Sequence, residues 1–169
     1  EGSYGFVQSG TGTAASAIIT SSNINTTGYS NVEMSFKLAA LAVGATTGGE
    51  DAGDSVTVSV SPDGGVNWYP TVKINGGTNS VWSYAESGVA TTPYDGNASA
   101  VLFTGTSANG VVDGTGYSTV KITGLPSTSN LKISIAMRTS AGNETWAIDD
   151  FKVTGEAASF SILPGYNGL

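Results

Sequence analysis

The sequence predicts an all-β chain, an antiparallel β-sandwich of about eight or nine short strands with no substantial helix. Two observations carry that prediction. Short runs alternate apolar and polar residues with a period of two, and no segment sustains a helical period. Clusters of Gly, Asn, Asp and Pro separate those runs at the spacing of a sandwich. A β-barrel satisfies the same pattern and stands as the alternative.

Taken in order, Val32, Met34, Phe36 and Leu38 share one face of the first clear strand, and Val56, Val58 and Val60 one face of the next. Ser61-Pro62-Asp63-Gly64-Gly65 then supplies a turn, with Asp63 as the residue whose side chain bonds its own backbone. Asn75-Gly76-Gly77, Asp95-Gly96-Asn97 and Asp113-Gly114 mark further turns. Val120-Lys121-Ile122 and Leu131–Met137 alternate again, and Trp146–Val153 closes the series. Its alternation breaks between Ile148 and Phe151, which predicts a bulge or a site there. Residues 1–155 read as one domain, and 156–169 as a C-terminal extension, either an intersubunit strand or a packed tail.

Composition narrows the chemistry. The chain has 169 residues, no His and no Cys. That excludes a Ser-His-Asp triad, thiol catalysis, disulfides and imidazole or thiolate metal sites. Thirteen acidic and six basic residues give a net charge of −7. Six scattered cations cannot form the positive stripe that a nucleic acid needs. The apolar run Leu38–Val43 is far too short for membrane insertion. What survives is oxygen chemistry, suited to a hard cation or a sugar. Gly, Ser, Thr and Asn make up close to half of the chain, and charged residues only 11%. This polar, Cys-free, acidic composition, with a start at Glu1 that suits a processed terminus, reads as secreted or cell-surface.

Three segments are more specific. Gly53–Trp68, with Gly-Asp, alternating Val, Ser-Pro-Asp-Gly-Gly and Trp, resembles a stretch of secreted bacterial jelly-roll domains, frequent in Bacteroidetes. Asn143–Phe151 resembles their final strand, Trp-x-Ile-Asp-Asp, and Ile24–Phe36 their early strand pair. The group is similar to MAM and LamG-like modules. The resemblance implies a jelly roll with an acidic cation site, calcium being the expected ion. If the last strand lies antiparallel to the Val32–Leu41 strand, its start meets that strand's end. Glu50, Asp51 and Asp54 then approach Glu144, Asp149 and Asp150, and these six are the candidate metal ligands. Solvated loop acids that cap turns are the plainer reading of the same residues.

Trp68, Tyr69, Trp82, Tyr84 and Tyr94 are candidates for a glycan-binding platform, against the plainer role of core or cross-strand aromatics. Glu86 and Asp95 do not make a convincing glycosidase pair, because neither has a supporting base or metal nearby in sequence. The chain therefore reads as no enzyme. The first functional expectation is an extracellular structural subunit, a homo-oligomer or filament that assembles by strand addition and is stabilised by calcium. The alternative is a calcium-dependent carbohydrate-binding or adhesion module with a polysaccharide partner.

Overall fold

A computed structural model describes residues 5–9, 15–42, 49–77, 89–104 and 117–159. Among them lie ten strands and no helix: β1 (Phe6–Ser9), β2 (Ala15–Thr20), β3 (Tyr29–Ala42), β4 (Ser55–Ser61), β5 (Tyr69–Asn75), β6 (Val89–Pro93), β7 (Val101–Thr104), β8 (Ser118–Thr123), β9 (Lys132–Thr139) and β10 (Glu144–Ala157). They form two five-stranded sheets, ordered β1-β10-β3-β8-β6 and β2-β9-β4-β5-β7. The predicted β-sandwich is thus the observed fold. Every run with clear alternation lies within or overlaps a strand. The added strands β1, β2, β5, β6 and β7 are short, rich in Ser, Thr and Ala, or, in β5, carry Pro70, so their strand signal is weak.

The alternation dictates the layers. On β3, Val32, Met34, Phe36, Leu38 and Ala40 point inward. They meet Val56, Val58 and Val60 of β4 and Ile133, Ile135 and Met137 of β9 in one buried core. Trp146 and Ile148 of β10 complete it. Each such side chain removed from water contributes roughly 1.5–3 kcal/mol. A slip of one residue would turn a whole set outward, so the core fixes the register.

Two pairings depart from the antiparallel expectation: β5 with β7, and β6 with β8, run parallel. The chain alternates between sheets from β5 to β8, and each strand returns beside the one two places earlier in the same direction. Parallel neighbours need such long crossovers.

β10 does run antiparallel beside β3, with Glu144 opposite Ala42 and Asp149 opposite Lys37. The broken alternation is a β-bulge: the register shifts between Asp149 and Lys152, and Asp150 sits at φ 53°. β10 continues to Ala157, and Ala158 N donates to Gly28 O at 3.0 Å. Residues 160–169 lie outside the described residues. The first strand is taken up by its own domain, with Phe6 opposite Ile148 and Ser9 opposite Thr145. Among the described residues no helix is long and apolar enough to cross a membrane.

Candidate cation site

At one end of the sandwich, three elements bring acids together. The turn Glu50–Asp54 leads into β4, β10 begins at Glu144, and the 140–143 turn joins β9 to β10. Antiparallel pairing of β4 with β9, Ser55 opposite Arg138, places these segments side by side. One carboxylate oxygen from each of Glu50, Asp54 and Glu144 lies within 4.8 Å of the others. Glu50 and Asp54 are fully buried and Glu144 nearly so.

The local structure holds two of the three firmly. Asp54 Oδ2 accepts from Asp51 N at 2.7 Å, and Asp54 N donates to Asp51 O at 3.1 Å. Glu144 Oε2 accepts from Ser140 N at 2.8 Å, from Ser140 Oγ at 3.2 Å, and from Ala141 N. Glu50 has no such support. Both of its carboxylate oxygens, and Oδ1 of Asp54, are buried without a hydrogen-bond partner. Burial, reinforced by the charges of Asp54 and Glu144, pushes the Glu50 carboxyl up to about 10. Burial also raises Asp54 to about 6, against the lowering effect of the Asp51 backbone bond. Removing an isolated carboxylate from water costs several kcal/mol, so such a group either takes a proton or meets a cation. Calcium binds six to eight oxygens at 2.3–2.6 Å, which places ligands on opposite sides of the ion about 5 Å apart. The spacing of this trio fits inside that shell, and orphaned acceptors are the donor set a hard cation requires.

Residues outside the acid set shape the site. A Cβ on Gly76 would collide with the backbone of Glu50 and Asp51, and Gly76 N donates to Asp54 O at 3.0 Å. The end of β5 therefore backs directly onto the acid-bearing turn. Arg138 Nη1 donates to Gly53 O and pins the outer side of the same turn. Sequence reasoning takes Asn75-Gly76-Gly77 for a turn signal. Only the tertiary contact reveals why position 76 has no side chain.

The six predicted ligands divide. Glu50, Asp54 and Glu144 converge. Asp51 sits at their rim, half-buried, with Oδ1 accepting from Gly53 N at 2.8 Å. Asp149 and Asp150 lie elsewhere. Five residues of extended strand separate Glu144 from Asp149, roughly 16 Å. Asp149 Oδ1 accepts from Asp150 N at 2.7 Å, and Asp150 pairs with Lys37 Nζ at 2.6 Å.

The aromatic candidates also divide. Trp82 and Tyr84 lie outside the described residues. Trp68, Tyr69 and Tyr94 are half-buried near the other end of β4. Tyr69 and Tyr94 pack edge to face, with centroids 6.1 Å apart and an interplanar angle of 83°. Burial, then the charges of Tyr69, Asp63 and Asp95, raises the Tyr94 phenol. Asp63 is the turn residue expected. It accepts from Ser61 Oγ, Val66 N, Asn67 N and Asn67 Nδ2 at 2.7–3.1 Å. Asp95 accepts from the backbone and side chain of Asn97.

No protein-family model matches the chain, and no curated protein matches it significantly. A solved structure of TmCBM61 in complex with beta-1,4-galactotriose superposes over 92% of this chain and 73% of that chain, with a TM-score of 0.48 and 12% sequence identity.

Proposed function

We propose that the chain is an extracellular, non-catalytic carbohydrate-binding module whose fold is completed by a buried calcium ion. The observation that carries the calcium half is the trio Glu50, Asp54 and Glu144, with three oxygens lacking any partner. Three acids buried without a counter-charge must take up protons, at a cost that grows as pH rises, unless a cation joins them. Glu144 starts β10 and the Glu50–Asp54 turn starts β4. The ion would therefore tie one sheet to the other.

The sugar half is supported by Trp68, Tyr69 and Tyr94. Their rings are half-buried, Tyr69 packs edge to face on Tyr94, and Trp68 precedes Tyr69 directly in the chain. Aromatic faces for the apolar side of a pyranose, rimmed by a few polar groups, are the chemistry of such sites. The self-assembly reading loses its N-terminal argument, because Phe6–Ser9 pairs with β10 of the same chain.

The test is binding of the calcium-loaded chain to a panel of insoluble plant and microbial polysaccharides, followed by depletion from the supernatant. Retention by at least one neutral polysaccharide, reduced in Tyr94→Ala, is the expected result. No retention by any member of the panel would overturn the sugar half. The ion is tested separately by melting with and without chelator.

A further inference from the structure

We infer that the outward face of the first sheet carries a second saccharide site, built from Tyr117, Lys37 and Asp150, that takes a neutral pyranose through two adjacent hydroxyls. The inference rests on the carbohydrate-binding reading and names a place for it that the aromatic residues near β4 do not.

The site begins with the bulge. On β3, Lys37 and Ala39 point away from the core, because Phe36, Leu38 and Ala40 point into it. On β10, Ala147 and Asp149 do the same opposite them. The extra residue between Asp149 and Lys152 then turns Asp150 onto the same face as Lys37. Asp150 adopts a left-handed backbone there, φ 53°, a conformation that Asp and Asn accept more readily than other residues with a side chain. The ion pair it gains is about one-third exposed on both sides, 34% and 38%. Exposed pairs of that kind contribute little to stability.

The surroundings supply the rest. Lys37 Nζ lies 4.9 Å from the centroid of the Tyr117 ring, and Tyr117 is 50% exposed. Ala39, Ala147 and Gly5 are small, so they leave a depression of ≈ 460 Å³ beside the pair. That is within the range of ligand pockets, roughly 300–1,000 Å³. An ammonium donor and a carboxylate acceptor in contact match adjacent ring hydroxyls, one accepting from Lys37 and the other donating to Asp150. The half-exposed Tyr117 ring offers an apolar surface to the sugar's C–H groups. Lys37 holds the Asp150 carboxyl below its usual range, so the acceptor stays ionised. With Asp149 beside it, the site repels uronic acids and selects neutral sugars.

The test is titration of the calcium-loaded chain with cellotriose, β-1,4-mannotriose, β-1,4-galactotriose and trigalacturonate, read by calorimetry and by amide chemical shifts. At least one neutral trisaccharide is expected to bind, shifting the amides of Lys37 and Asp150, while trigalacturonate does not. Tyr117→Ala and Asp150→Asn should each weaken it at least tenfold with unchanged melting temperature. Asn tolerates the same backbone, which separates loss of the carboxylate from loss of the bulge. Wild-type affinity in both variants, with loss in Tyr69→Ala and Tyr94→Ala, would overturn this site and leave the general reading standing. Absence of binding to all four probes and to every polysaccharide would overturn both.

Discussion

The two ends of β4 carry the same residue type with opposite fates. Asp63, just past Ser61, is exposed and collects four hydrogen bonds from Ser61, Val66 and Asn67. Those bonds hold its carboxyl down to about 2. Asp54, just before Ser55, is buried, keeps one oxygen without a partner, and lies beside a second acid with both oxygens orphaned. Its carboxyl is raised to about 6. One end satisfies its acid from within four residues of sequence. The other gathers acids from two sheets and satisfies them incompletely. Local turn chemistry closes on itself, whereas the long-range cluster keeps acceptors that a proton or a cation can satisfy.

The largest effect expected from breaking this contrast lies at Gly76. Any side chain there meets the backbone of Glu50 and Asp51 rather than a movable side chain. Gly76→Ala should therefore destabilise the chain by about 3 kcal/mol, the upper part of the range for overpacking. It should also abolish any calcium response. Denaturant unfolding checks the first point and isothermal titration with calcium the second. A variant as stable as the parent would mean that the acid-bearing turn does not rest on β5.

Calcium itself comes next. An ion that binds only the folded chain adds about 2.7 kcal/mol at a hundredfold excess over its Kd. For a domain of this size each kcal/mol raises the Tm by roughly 2–4 °C. The response should vanish in Glu50→Gln, which keeps the shape and removes one ligand charge. In chelator near neutral pH, Glu50→Gln should melt higher than the parent, because the amide is already neutral whereas Glu50 must take up a proton to be buried beside Asp54 and Glu144. An equal rise in Tm with calcium for both proteins would exclude Glu50 as a ligand.

The same residue sets the pH dependence of the calcium-free chain. Its folded carboxyl lies far above the ordinary value of 4.5, at about 10. The folded state therefore holds a proton that the unfolded state releases across that window. Stability is fully present below the unfolded value and declines as pH rises toward the folded one. In chelator, Tm should fall from about pH 5 to about pH 8. With calcium the fall should be removed or reversed, since the ion binds the ionised form. A flat profile in chelator would mean that Glu50 is not held protonated.

How much of this was legible in the sequence follows from range. The strands with strong alternation could be read directly, because a half-buried strand writes its two faces into successive residues. Tyr29–Ala42 and Ser55–Ser61 are clear cases. The broken alternation at Ile148–Phe151 likewise announced its bulge. The parallel pairings could not be read, because nothing local distinguishes a strand that returns through the other sheet. The approach of Glu144 to Glu50 and Asp54 is legible once β10 is set antiparallel beside β3, the arrangement observed. Adding Asp149 and Asp150 treated a stretch of strand as a point. Lys37 and Tyr117 gave no signal, because their proximity depends on the long-range pairing of β3 with β8.

The smallest effect belongs to the self-satisfied end, and it sharpens the contrast most cleanly. Asp63→Ala removes four acceptor contacts; Val66 and Asn67 are exposed, so water can replace theirs, and only buried Ser61 loses a partner that water does not readily supply. The loss of Tm should be the least of the substitutions considered. Its pH dependence should oppose that of Glu50. With its folded carboxyl lowered to about 2, Asp63 contributes stability above the ordinary value of 3.8 and loses it as pH falls through the folded value. The difference in Tm between parent and Asp63→Ala should thus shrink below about pH 4. Calcium should raise the Tm of both equally. If Asp63→Ala instead lost the calcium response, the two ends would be coupled through β4, and the division between a closed end and an open one would fail.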